Sequence, residues 1–222
     1  MQEAEVIDIA KQFTGVSKES VVDLYNNIAK QYEPFVEELY VPDPDITGDY
    51  IASLGLDKDT NIIDFGCGTG RLGGRLHSHG YTNVTGIDAT PAMLEEAKEK
   101  KCYKELRKVF CCAGEFPEDF KEKFTIVTSV GFLLKGHVTP DVIDEKLSTL
   151  EKKEGSALIF AARNDYYEEL GFKARVDQLV SEGKLELVYQ KGFTKQTRTD
   201  HFEDKSFFYP VEATLYHFRY VF

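Results

Sequence analysis

Beyond residue 60 the chain alternates regularly. Short, mostly apolar runs at 61–65, 83–87, 108–112, 124–129 and 157–161 are separated by amphipathic stretches at 71–79, 91–102, 140–151 and 166–182. Apolar runs of this length bounded by turn residues predict strands, and the near-helical period between them predicts helices. Strand–helix alternation requires a parallel sheet with helices on both faces. Two of the predicted helices open on Thr-Pro, at Thr90-Pro91 and Thr139-Pro140, which places Thr at the N-cap and Pro at the first helical position. The last two runs, 185–195 and 213–222, read differently. Leu215, His217, Arg219 and Val221 alternate with Tyr216, Phe218, Tyr220 and Phe222, which predicts a closing antiparallel hairpin with a long connection. Ahead of residue 60 the texture is helical, in several pieces over 4–54. Val21, Val22, Leu24, Tyr25, Ile28 and Tyr32 recur near helical spacing, and Pro34, Pro42 and Pro44 are expected to break the helix beyond Tyr32.

One segment carries a chemical signal. Asn61-Ile-Ile-Asp-Phe-Gly-Cys-Gly-Thr-Gly70 is a strand ending in a carboxylate, Asp64, followed by Gly66, Gly68 and Gly70 at alternate positions and then by a helix. Glycine permits a sharp turn at positive φ and lets a ligand lie against the main chain, and the helix start offers free N–H groups. Eighteen residues past Gly70, at the end of the second strand, stands Asp88. An acid at that strand tip is the usual acceptor for ribose hydroxyls. Gly68-Thr-Gly-Arg-Leu-Gly73 also matches the dinucleotide fingerprint G-x-G-x-x-G. A nicotinamide site, however, should have its first glycine directly after the strand, and Asp64 would repel a pyrophosphate. The same carboxylate suits the ammonium of a methionine moiety. The pattern therefore favours S-adenosylmethionine over NAD.

IIDFGCGTG, GIDATPAML and FTIVTSVGFL resemble the motifs of class I S-adenosylmethionine-dependent methyltransferases. LYNNIAKQYEPF, VGFLLKGHV and AARNDYYEELGF extend the resemblance to the Williams–Beuren syndrome critical-region methyltransferase-like family, over about residues 21–185. The resemblance implies a doubly wound, mostly parallel, seven-stranded Rossmann-like α/β sheet with an antiparallel C-terminal hairpin. It implies a helical N-terminal lid over residues 1–55 and a cofactor-binding domain over 56–222. Asp64, Gly66 and Gly68 would hold the methionine end of the cofactor and Asp88 the ribose, with Ala89 and Met93 on the adenine face. Cys67, Ala113, Gly114 and Ser129 complete the cofactor-contacting positions. Relatives often place an Asp after the third strand to meet the adenine amine. Cys112 occupies that position here, which leaves the amine to Glu115, a carbonyl or water. Tyr25 and Tyr32 fall in the segment that serves the family as a lid. An aromatic face near a sulfonium is favourable, and two tyrosines seven apart on one buried helix face is the alternative reading.

Charge and composition narrow the partners. The net charge is −11, and residues 1–60 supply 13 Asp and Glu against 4 Lys. Phosphate contact requires a basic surface, so a nucleic-acid partner is not expected. The NPPY-type motif that clamps an amino-bearing base is also missing after the fourth strand, where Ser129-Val-Gly-Phe-Leu-Leu-Lys135 stands. No apolar run approaches the ~20 residues of a membrane span, and the acidic N-terminus does not read as a targeting peptide. Cys67, Cys102, Cys111 and Cys112 show neither a CxxC pair nor partnering histidines, so no metal site is expected and the thiols read as reduced and cytoplasmic. His77 and His79 diverge on their helix. His137, after the fourth strand, is a candidate base or a plain exposed loop histidine. No catalytic residue is assigned. Phe202, Phe207, Phe208 and Tyr209, in the loop 198–212, either wall a small-molecule pocket or cover the sheet edge. The expected activity is methyl transfer to a small molecule; the alternatives are a protein or peptide methyltransferase and a cofactor-binding module without turnover.

Overall fold

A computed structural model describes residues 1–13, 16–112, 114, 116–196 and 209–222. The elements run α1 (Glu3–Gln12), α2 (Val21–Leu39), α3 (Asp43–Ser53), β1 (Ile62–Phe65), α4 (Arg71–Ser78), β2 (Val84–Asp88), α5 (Pro91–Glu99) and β3 (Glu105–Lys108). After a short 3-10 turn at Glu118–Phe120 come β4 (Ile126–Val130), α6 (Val142–Thr149), β5 (Ala157–Arg163), α7 (Asn164–Glu169), α8 (Phe172–Ser181), β6 (Leu185–Lys195) and β7 (Val211–Tyr220). The seven strands lie in the order β3-β2-β1-β4-β5-β7-β6. The first five are parallel, and β7 runs antiparallel between β5 and β6. This is the expected doubly wound sheet with its antiparallel C-terminal pair. The strand order reverses between β1 and β4, and ligands of such sheets bind at the carboxyl ends of the strands beside that switch point.

Two layers of apolar side chains hold the sheet. Phe65, Phe124, Phe160 and Phe172 fill one face, and Ile62, Leu72, Leu76 and Ile159 fill the other. α3 belongs to the second layer through Ile51. α1 and α2 form a separate small core, in which Val6, Ile9, Leu24, Ile28, Phe35, Val36 and Leu39 meet Met93 of α5. Among the described residues no helix is long and apolar enough to cross a membrane.

Four local expectations are corrected. The third strand lies at Glu105–Lys108, not 108–112. It is a half-exposed edge strand with a polar sequence, and edge strands carry charge as protection against pairing. The apolar Val109 and Cys111 are instead buried in the loop beyond it, where Cys112 takes a φ of 59° that no strand accommodates. α6 opens at Val142 with Asp141 as its N-cap, so Thr139-Pro140 lies ahead of the helix, whereas Thr90-Pro91 opens α5 as expected. The helix expected over 166–182 is two, parted by Gly171 at φ 85°. α2 passes through Pro34 rather than ending there. A mid-helix proline costs ~3 kcal/mol, offset here by the buried face of Leu24, Ile28, Phe35, Val36 and Leu39.

Candidate functional site

β1 delivers Asp64 and Phe65 to the carboxyl edge of the sheet, and the chain then turns through Gly66, Gly68 and Gly70 with φ values of 67°, 53° and 84°. A side chain at Gly66 would strike the Phe132 ring at 2.2 Å, whereas one at Gly68 would meet nothing within 4 Å. The main chain at Gly68 is thus open to a ligand. At the tip of β2, Asp88 pins the same turn. Its Oδ2 accepts the Gly68 N–H at 2.9 Å and its Oδ1 accepts the Thr90 N–H at 2.8 Å, which caps α5. Burial raises the Asp88 carboxyl, and the N–H donors of Thr90 and Gly68 oppose that shift.

A cavity of about 120 Å³ opens above this turn. Its walls include Tyr25 and Tyr32 of α2, Asp43, Gly66 to Thr69, Asp88 to Thr90, Met93, Phe110, Cys111 and His137. A second cavity of about 490 Å³ adjoins it between α1, α2 and the ends of β5 and β6, and Tyr25, Tyr32, Val41, Gly131 and His137 line both. Ligand pockets ordinarily span ~300–1,000 Å³, so a nucleoside would fill the first cavity only with movement of its α2 roof.

Of the twelve expected cofactor positions, Tyr25, Tyr32, Gly66, Cys67, Gly68, Asp88, Ala89 and Met93 line the smaller cavity. Asp64 does not. It is 1% exposed beneath the glycine turn, where Tyr103 Oη donates to its Oδ2 at 2.7 Å and its Oδ1 has no hydrogen-bond partner among the described residues. Burial pushes its carboxyl up to about 7. Gly73, the last glycine of the dinucleotide-like pattern, serves this buried contact, because a side chain there would overlap the Tyr103 ring at 2.2 Å. Ser129 is likewise buried off the cavity, its Oγ accepting from Lys146 Nζ at 2.6 Å. Gly114 is outside the cavity wall, and Ala113 and Glu115 lie outside the described residues, as do Phe202, Phe207 and Phe208. Cys112 turns from the cavity, its N–H donating to Glu145 Oε1 at 2.8 Å, while its neighbour Cys111 lines the wall. The four cysteines are free thiols, and among the described residues no cluster of His, Cys, Asp and Glu suits a metal.

Two features of the site escaped sequence reasoning. Asp43 and Lys195 form an ion pair at 2.6 Å, 2% and 6% exposed, with Asp43 in the wall of one cavity and Lys195 in that of the other. Asp43 Oδ2 has no hydrogen-bond partner among the described residues. Arg163 lines the larger cavity, held by Asp165 at 3.0 and 2.6 Å. His137, which the sequence offers as a candidate base or an exposed loop histidine, is half-buried against α2. Its Nε2 lies 2.9 Å from Tyr25 Oη and its Nδ1 3.0 Å from the Lys135 carbonyl.

Comparison with known proteins gives a consistent picture. A family model described as "Methyltransferase domain" matches residues 56–205, more than half the chain. Human methyltransferase-like protein 27 is 30% identical over 169 residues, covering 73% of this chain and 66% of its own length. The chain thus spans just under two thirds of that relative. A TehB-like SAM-dependent methyltransferase from Corynebacterium glutamicum superposes with a TM-score of 0.59 at 16% identity, covering 89% of this chain and 98% of its own. The [4+2]-cyclase SpnF superposes at 0.64 and 14% identity, covering 93% and 99%. At these identities the two structures establish the shared fold, and they carry different reactions on it.

Proposed function

Because the chain belongs to the class I S-adenosylmethionine-dependent methyltransferases, we propose that it binds S-adenosylmethionine in the smaller cavity and transfers its methyl group to a small molecule held in the larger one. The observation that carries this reading is the joined pair of cavities at the carboxyl edge of the sheet. One is built on the glycine turn and Asp88; the other is walled mainly by apolar and aromatic side chains. The residues fit the cofactor. Gly68 leaves the main chain open to it, Asp88 stands at the strand tip that meets a ribose in sheets of this kind, and Asp43 offers a buried oxygen that lacks a donor among the described residues. When bound, the cofactor supplies an already activated methyl group on a sulfonium, so the protein's part is to position the acceptor and exclude water.

Tyr25 and Tyr32 on α2 would cover the cofactor, with α1 and α2 acting as the lid. The larger cavity lies within the size range of small-molecule pockets, and this favours a small acceptor over a protein segment. The net charge of −11 argues against nucleic acid, and the free thiols suit the cytosol. Calorimetry tests the cofactor. S-adenosylhomocysteine should bind in the micromolar range and NAD should not bind measurably. Tighter binding of NAD would overturn the assignment.

A further inference from the structure

We propose that Tyr25 and His137 form a proton relay that deprotonates the methyl acceptor, with the Tyr25 hydroxyl touching the acceptor and His137 receiving the proton. The proposal rests on the methyl-transfer reading above and assigns a role that reading leaves open.

Position is the first argument. Tyr25 and His137 line both cavities, so they stand at the seam where an acceptor in the larger one meets a cofactor in the smaller one. The hydrogen bonds are the second. A main-chain carbonyl only accepts, so His137 Nδ1, 3.0 Å from the Lys135 oxygen, must carry the ring hydrogen. Nε2 is then a lone pair, and Tyr25 Oη, 2.9 Å away, must donate to it. The phenol's proton is committed to the imidazole, while its oxygen keeps lone pairs for an incoming donor. This is the arrangement of an activated hydroxyl, a base and a group that orients the base. The rings meet edge to face at 5.5 Å, and Tyr25 is held in turn by Tyr32 and Phe13 at 5.9 and 5.8 Å.

The surroundings set the resting protonation states of the pair. Burial lowers the His137 imidazole below its ordinary 6.5, so it is a neutral base at pH 7. Burial also raises the Tyr25 phenol well above 10, so it conducts a proton without resting as phenolate. The charged or titratable groups that line the two cavities around the pair are Tyr32 on α2, Asp43 on α3, Cys67 and Arg71 beyond β1, Asp88 on β2, Cys111, Lys135 on the histidine's own loop, and Arg163, Tyr166, Lys195 and Tyr209 across the larger cavity.

In the step, the acceptor's X–H bond breaks and its electron pair stays on X. That proton goes to Tyr25 Oη, and the phenol's own proton goes to His137 Nε2. The imidazolium keeps its Nδ1–H on the Lys135 carbonyl and later yields a proton to water. The pair left on X would then bond the methyl carbon as that carbon's bond to the cofactor's sulfonium sulfur breaks, the sulfur keeping the electron pair as a neutral thioether. Lys135, Arg163 and Lys195 line the larger cavity, and no carboxylate does among the described residues. Among the described residues an ammonium acceptor would find no counter-ion there. The acceptor class that fits is a phenol, enol or thiol on a neutral or anionic apolar body.

The test uses the full chain, Tyr25→Phe and His137→Gln, with methyl-labelled S-adenosylmethionine, offered 2-naphthol and a metabolite extract. At pH 7 both variants should transfer label 10²- to 10⁴-fold more slowly, the usual worth of general acid–base catalysis. A phenol acceptor ionises on its own near pH ~10, so the gap to wild type should close as pH rises from 7 to 10. A latch that merely fastens α2 would leave the gap constant, which overturns the relay. Nitrogen NMR of histidine-labelled protein without cofactor gives a second reading. The Nδ1–H tautomer at His137, with a Nε2 resonance displaced in Tyr25→Phe, supports the relay; an Nε2–H tautomer refutes it. Wild-type protein that methylates nothing in either probe defeats the methyl-transfer reading itself, whereas active wild type with equally active variants defeats only the relay.

Discussion

Lys146 should be replaceable by methionine with a gain in stability. It lies on α6, wholly buried, with Nζ donating to Ser129 Oγ at 2.6 Å and lying 5.7, 5.2 and 5.6 Å from the ring centroids of Phe65, Phe132 and Phe160. Among the described residues no carboxylate pairs with it. Burial pushes its ammonium down from 10.5 to about 7. At ~1.4 kcal/mol per pH unit, holding this lysine in the folded core costs about 4 kcal/mol at pH 7. Methionine has the same reach and makes favourable contacts with aromatic rings. It strands Ser129 Oγ without a partner, at a cost of ~1–3 kcal/mol. The expected net gain is ~1–3 kcal/mol, which raises Tm by ~2–10 °C for a domain of this size. The sign also depends on pH. Between about 7 and 10.5 the unfolded chain holds the proton that the folded chain has released, so wild-type stability climbs through that window. The advantage of Lys146→Met should therefore be full at pH 7, reach zero between about pH 8 and 10, and reverse towards pH 10.5, where the lysine's cost is gone and the ~1–3 kcal/mol for the stranded Ser129 hydroxyl remains. Thermal and urea unfolding at pH 7, 8.5 and 10 read both effects. A lower Tm for the variant at pH 7, or an advantage that ignores pH, would refute the argument.

Three further outcomes test the site. Gly68→Ala should fold with a loss of only ~1–2 kcal/mol, since its backbone is left-handed but its surroundings are open, while S-adenosylhomocysteine affinity falls sharply; Gly66→Ala, which collides with Phe132, should lose ~2–5 kcal/mol of stability. Equal stability of the two variants in urea would count against the described turn. Asp88→Asn should weaken S-adenosylhomocysteine at least ~10-fold, because charge-assisted hydrogen bonds contribute ~1.5–3 kcal/mol each, and should lower Tm through its contacts to Gly68 and Thr90. Wild-type affinity with a lowered Tm would leave Asp88 a structural cap alone. Amides of α2 should exchange more slowly once S-adenosylhomocysteine is bound, since the 120 Å³ cavity beneath the helix must open to admit a nucleoside; protection that is the same with and without ligand would make α2 fixed scaffold.

What the sequence disclosed and what it concealed divide along a physical line. The glycine turn, Asp88 and the Thr90-Pro91 helix start are local devices, each requiring particular residue types at fixed spacing, and all three stand where their spacing implies. The antiparallel β6 and β7 were legible for the same reason, since a strand's alternation is written in a few consecutive residues. The third strand was not. Its polar Glu-Leu-Arg-Lys satisfies an edge, whereas the apolar run beside it fills the core from a loop. Counted back from Pro117, Cys112 takes the position of the relatives' adenine acceptor, whereas the loop turns Cys111 to the cavity. Asp64 and Ser129 show a second limit. Sequence places them at strand ends, yet whether a strand-end side chain faces ligand or core depends on Tyr103 and Lys146, 39 and 17 residues away. The Asp43–Lys195 pair, 152 residues apart, and Tyr25–His137, 112 apart, have no local signature at all. The glycine turn and its strand-tip carboxylate lie close together along the chain and so can be read from a line of text. The groups that would choose and activate the acceptor are brought together by separate elements, and only the folded chain shows them.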